Sequence, residues 1–102
     1  MKANKAVSLL GLAMKAGRLV SGEFLTEKAV KTGKAALVIV AEDASDNTKK
    51  MFTDMCTYYD VPFYIWGRKE ELGAAIGREY RASLALTDAG FRDVWIKQVK
   101  SM

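Results

Sequence analysis

The stretch "AALVIVA", residues 35 to 41, constrains the fold of this chain more than any other feature. It is wholly apolar, rich in β-branched residues and too short for a globular helix of ordinary length. Such a run reads as a central strand buried on both faces. A strand of that kind needs a helical layer on each side, and the surrounding sequence supplies helical patterns in alternation. Residues 2 to 16 carry Val7, Leu10 and Met14 at helical spacing with Ala6 alongside, and Gly17 follows as a stop. Residues 18 to 21 form a short extended piece. Residues 23 to 32 read as a second helix ended by Gly33.

After the central strand, "EDASDNTKKMFTDMCTYYD" opens with capping residues, Ser45 or Asp46. It continues with Met51, Met55 and Tyr58, and with Phe52, Cys56 and Tyr59 one position on, as a core face and its margin. "VPFYIW" is a second strand, "RKEELGAAIG" a short helix and "ASLALT" (82 to 87) a further strand. "DAGFRDVWIKQVK" is a last helix, with Asp88 as N-cap and Phe91, Val94, Trp95 and Val99 as its apolar stripe. The order αβαβαβαβα predicts an α/β fold: a three-layer α/β/α sandwich around a four-stranded mixed sheet. At 102 residues, half of them hydrophobic, residues 1–102 are expected to form a single domain.

Composition narrows the chemistry. With no histidine and one cysteine, a transition-metal site is close to excluded and a Ser-His-Asp or Cys-His triad is impossible. Cys56 reads as a buried structural thiol. The N-terminal lysines and apolar run resemble a signal peptide, but Lys15 interrupts the run and its apolar spacing is helical. No segment approaches the length of a membrane span, so a cytoplasmic protein is expected. The net charge of +4 is unevenly placed: residues 1 to 41 hold seven basic and two acidic residues, net +5, and the remainder is net −1. A one-sided basic excess is the footprint of a nucleic-acid binder.

Two stretches are candidate sites. "EDASD" (42 to 46) clusters carboxylates after the central strand, where α/β folds gather their sites, so an acid/base role for Asp43, Ser45 and Asp46 is conceivable. Helix capping is the favoured reading of the same residues. "VSGEFLTEK" (20 to 28) has Gly22 and Glu23 at the head of the second helix. Phe24, Lys28 and Lys31 follow on one face, and Lys15 and Arg18 lie just before. Lysines and free helix-terminal amides suit phosphate, and an exposed ring suits an unpaired base. Spacing alone does not decide whether Phe24 faces solvent or core.

Gly22 and Lys28, then "KAVKTGKAALVIVAEDAS", resemble the kink-turn RNA-binding ribosomal protein family of the L-seven-Ae/L-thirty-e type, and within it the small bacterial YlxQ-like members. Cys56, Val61-Pro62, Leu72-Gly73, Gly77 and "TDAGF" (87 to 91) extend the likeness over nearly the whole chain. The resemblance implies a non-enzymatic, structure-specific RNA-binding protein that works without a cofactor, as a monomer and away from membranes. Its implied partner is structured RNA, a kink-turn in ribosomal or regulatory RNA. It implies contacts to the tandem G·A pairs from Gly22 and Lys28, and cover for the bulged bases from the loop Glu79, Tyr80, Arg81 and Ala82, with Lys69 nearby. The family's Asn-Glu pair, which reads base edges, is Phe24-Leu25 here. Two routes then remain: backbone amides with Lys28 and phosphate contacts, or Glu23 replacing the missing carboxylate. A protein-interaction module on the same fold, anchored by Phe24 and Leu25, is the alternative.

Overall fold

The computed structural model describes residues 5–101. The elements follow the expected alternation: α1 (Lys5–Lys15), β1 (Leu19–Ser21), α2 (Glu23–Lys31), β2 (Leu37–Val40), α3 (Asp46–Tyr59), β3 (Phe63–Ile65), α4 (Lys69–Ala75), β4 (Ser83–Leu86) and α5 (Ala89–Lys100). Positions 2 to 4 of the first expected helix lie outside the described residues.

The helix ends are written in the sequence. Gly17, Gly33 and Gly77 adopt left-handed φ of 72° to 77°. At each, the next residue's N–H reaches back to close a Schellman motif: Arg18 to Ala13 O at 2.8 Å, Lys34 to Ala29 O at 2.9 Å, Arg78 to Gly73 O at 2.8 Å. Asp60, at φ 58°, ends α3 in the same way. At the starts, Ser45 Oγ accepts the Thr48 N–H and Asp88 accepts that of Phe91, which satisfies amides a helix leaves open.

The sheet is mixed, in the order β1-β4-β2-β3. β2 and β3 are parallel, while β4 runs antiparallel between β1 and β2. The two inner strands are buried at every position, as the wholly apolar run of β2 requires, and β4 buries Ser83 along with its apolar residues. α2 and α3 pack on one face; α1, α4 and α5 pack together on the other. There Trp95 is fully buried, its indole N–H donates to Ala6 O at 3.1 Å, and Tyr64 and Trp66 meet it edge-on.

Three apolar stripes differ in detail from the sequence reading. α3 buries Phe52 and Cys56, leaving Met51 and Met55 at the margin and both tyrosines exposed. In α5, Val94 faces outward and Trp95 alone is fully covered. α1 buries Ala6, Leu10 and Ala13. It lies so close to α4 that a Cβ on Gly11 would stand 2.8 Å from Ala75 O, so that contact admits no side chain. Burial pushes the Cys56 thiol up to about 11, as expected of an inert structural cysteine. No described helix is long and apolar enough to cross a membrane.

Candidate nucleic-acid interface

β1, β2 and β3 point the same way, because β4 is antiparallel to β1 and β2 and β3 is parallel to β2. Their C-terminal ends and the start of β4 therefore share one edge of the sheet. The head of α2 opens there at Gly22, whose φ of 91° and ψ of 158° fall in a region that only glycine enters without strain. Its N–H donates to Ser83 O at 2.9 Å and its carbonyl accepts the Thr26 N–H at 3.0 Å. β1 is thus fixed against β4 at the point where the helix begins.

The loop before β4 is fastened to the same place. Arg81 donates from Nε to Ser21 Oγ at 2.9 Å and from Nη1 to Tyr80 O at 2.9 Å. Its backbone N–H donates to Lys69 O at 3.0 Å. Behind the loop, Gly73 leaves room for no side chain: a Cβ would lie 2.7 Å from Glu79 C and O. Asp43 accepts the Lys69 N–H at 2.8 Å and faces Arg68 Nη2 at 3.6 Å. That backbone hydrogen bond from Lys69, with Arg68 adding its charge, holds the carboxyl below its ordinary range. Asp43 and Ser45 are thereby engaged in capping, as the favoured reading of "EDASD" expected. Among the described residues no group of three or more histidine, cysteine or acidic side chains could hold a metal.

α2 resolves the question about Phe24. Its inner face is Thr26, Ala29 and Val30, while Phe24 is 75% exposed and Leu25 46% exposed. Lys28 stands between two shallow cavities. One, of about 250 Å³, is lined by Phe24, Glu27, Lys28, Lys31 and Thr32. The other, of about 190 Å³, lies against β1 and includes Val20, Leu25, Lys28 and Lys34. Lys31 Nζ pairs with Glu27 Oε2 at 2.6 Å, and that hydrogen bond raises its pKa. Lys28 makes no ion pair among the described residues.

The fold brings Gly22, Glu23 and Phe24 at the head of α2 to the loop of Tyr80, Arg81, Ala82 and the exposed Glu79, and to Lys69 behind it; Lys28 stands further down α2, in a cavity that Thr87 also lines. Lys31 lies one turn beyond Lys28 along α2. Two other candidates stand apart. Arg18 sits at the opposite end of β1, where its carbonyl accepts the Thr87 N–H at 2.9 Å. Lys15 borders a separate cleft of about 500 Å³ between α1 and the end of α4. Although Arg18 is close to Gly22 in sequence, the three-residue strand β1 holds the two apart by roughly 10 Å. Ser21 was missed as the anchor of Arg81; 60 positions separate them, and no local pattern signals such a pairing.

Residues 4–95 match the model of the Ribosomal protein L7Ae/L30e/S12e/Gadd45 family. The chain belongs to this family. Relatives within reach of it include the RNA-binding protein YlxQ of Bacillus subtilis (strain 168), 48% identical over 83 residues, which covers 81% of this chain and 83% of that protein. The RNA-binding protein YlxQ of Enterococcus faecium is 44% identical, over 85% of this chain and 84% of its own length. A solved structure of a protein with unknown function from Bacillus halodurans C superposes with a TM-score of 0.92 at 39% identity, over 96% of this chain and 99% of that one. The α/β/α architecture is thus that of an L7Ae-family protein.

Proposed function

We propose that this L7Ae-family protein binds structured RNA and recognises kink-turns through the head of α2 and the loop before β4. One observation carries the reading: Gly22, with exposed Phe24 and Lys28 behind it, shares a sheet edge with a loop already clamped to β1 by Arg81. The names of the YlxQ relatives agree with RNA as the ligand. Gly22 presents bare backbone to a phosphate–sugar chain, and the first amides of α2 with Lys28 meet phosphate oxygens. Tyr80 and Ala82 offer apolar cover to extruded bases, with Lys69 beside them.

Phe24 and Leu25 donate no hydrogen bonds to base edges. Recognition therefore rests on backbone shape, at a loss of about 1–3 kcal/mol for each edge contact forgone. In this reading the chain acts as a single domain, as a cytoplasmic monomer, without cofactor or catalysis. The exposure of Phe24 and Leu25 also suits an apolar anchor for a protein partner; a complex that survives nuclease treatment supports that second reading.

The test is a gel shift with a kink-turn RNA against the same RNA with its G·A pairs changed to Watson–Crick pairs. The kink-turn should bind more tightly at physiological salt, where non-specific phosphate attraction is weak. Lys28→Ala should weaken binding more than Lys31→Ala, because Glu27 already engages Lys31. Equal affinity for the two RNAs overturns the reading.

A further inference from the structure

The basic, aromatic character of α2 does not stop at the sheet edge. Lys28, Lys31 and Lys34 succeed one another with no acidic residue from Lys28 to Val40. α2 and α3 pack side by side, each starting after a strand that runs the same way, and α3 with 14 residues outruns α2 with 9, so the C-terminal end of α3, with Tyr58 and Tyr59, stands past Lys31. Tyr59 is 42% exposed and Tyr58 81% exposed, and the two rings meet edge-on with centroids 4.8 Å apart. Neither belongs to the core, although the α3 pattern counted both within a core face and its margin. Aromatic rings therefore stand at both ends of a lysine-bearing helix face: Phe24 at the head of α2 and the tyrosine pair past its tail. The cavity walled by Phe24, Lys28 and Lys31 lies between them. Glu27 is the acidic side chain lining that cavity, and its carboxylate is held by Lys31.

Exposed rings interleaved with cations are what a single strand of nucleic acid requires, since every base offers a π-face and every linkage a charge. A protein partner has less use for a row of lysines, which are depleted at the centre of such interfaces. We propose that the outer face of α2, continued by Tyr58 and Tyr59 of α3, binds an unpaired segment of RNA that leaves the structured element. Bases stack on Phe24 and Tyr59, and the backbone runs along Lys28 and Lys31. The inference rests on RNA being the ligand, and it adds a substrate class, single-stranded RNA flanking a fold, that the sheet edge alone does not specify.

Fluorescence polarisation with three labelled RNAs tests it: a short unstructured uridine oligomer, a blunt duplex of equal length, and a tail-less kink-turn. The oligomer should bind more tightly than the duplex. Tyr59→Ala and Phe24→Ala should each weaken oligomer binding about 5- to 150-fold, the range one base–aromatic stack spans by alanine substitution. Tyr59→Phe should retain it, and Tyr59→Ala should leave the tail-less kink-turn unaffected. Duplex bound as tightly as oligomer, or alanine variants that bind the oligomer normally, overturns the inference. Loss of oligomer preference with kink-turn preference intact overturns this inference and not the reading beneath it. Failure to bind any of the three RNAs overturns both.

Discussion

Helices α2 and α5 pack on opposite faces of one sheet and treat their side chains in opposite ways. α5 places its largest residue, Trp95, wholly inside and satisfies its one polar atom on Ala6 O. α2 leaves Phe24 and Leu25 outside and buries Thr26, whose hydroxyl has no hydrogen-bond partner among the described residues. The first arrangement is what stability alone produces. The second leaves the largest side chain of its helix, Phe24, outside, where α5 exposes only Val94 among its larger apolar residues, and it leaves a polar group dry as well. Breaches of local rules concentrate where a chain does something other than fold. The contrast thus separates a helix that holds the molecule together from the one that the proposed function sets against RNA.

The largest expected effect is at the structural helix. Trp95→Ala should lower unfolding free energy by about 3–5 kcal/mol in denaturant melts, by emptying the space between α1, α5 and the rings of Tyr64 and Trp66. A smaller loss would mean that α5 is no better packed than α2. Next comes the backbone at the helix head. Gly22→Ala should destabilise by about 1–3 kcal/mol, since a Cβ is strained at φ 91° and ψ 158°. Thr26→Val should do the reverse and raise stability by about 1 kcal/mol, because it removes a buried hydroxyl that nothing satisfies; a decrease would reveal a hidden partner and weaken the contrast. Smallest of all, Phe24→Ala should shift stability by no more than about 0.5 kcal/mol. A loss of several kcal/mol would return Phe24 to the core and erase the difference between the helices.

Local chemistry made much of the fold legible. The apolar run at 37 to 40, the glycines after α1, α2 and α4, and the caps at Ser45 and Asp88 each stand where a single physical requirement selects few residue types. Stripes were harder to place: α3 carries apolar residues at both Met51/Met55 and Phe52/Cys56, and only the angle at which it meets the sheet decides between them. Strand order was not written locally, because β4 inserts between β1 and β2 through pairings from Val40↔Ser83 to Leu19↔Leu86, 43 to 67 residues apart. For the same reason the site was half legible. The glycine and lysine of α2 were visible as a unit, whereas the Arg81–Ser21 bond and the distance of Arg18 from Gly22 follow from topology. The exposure of Phe24 turned on which face of a short helix meets the sheet, and Thr26, Ala29 and Val30 settle it.

The clamp made by Arg81 has a kinetic corollary. Its bonds to Ser21 and Tyr80, with the α4 backbone pressed behind the loop at Gly73, fix both arms of the proposed edge before anything arrives. A rigid receptor leaves the work of bending to the RNA, so apparent affinity scales with the fraction of RNA molecules already bent: one bent about 1% of the time binds about a hundredfold more weakly than one held bent. Ions that fold the RNA should then speed its capture while leaving its release unchanged, and the protein would register whether an RNA has folded.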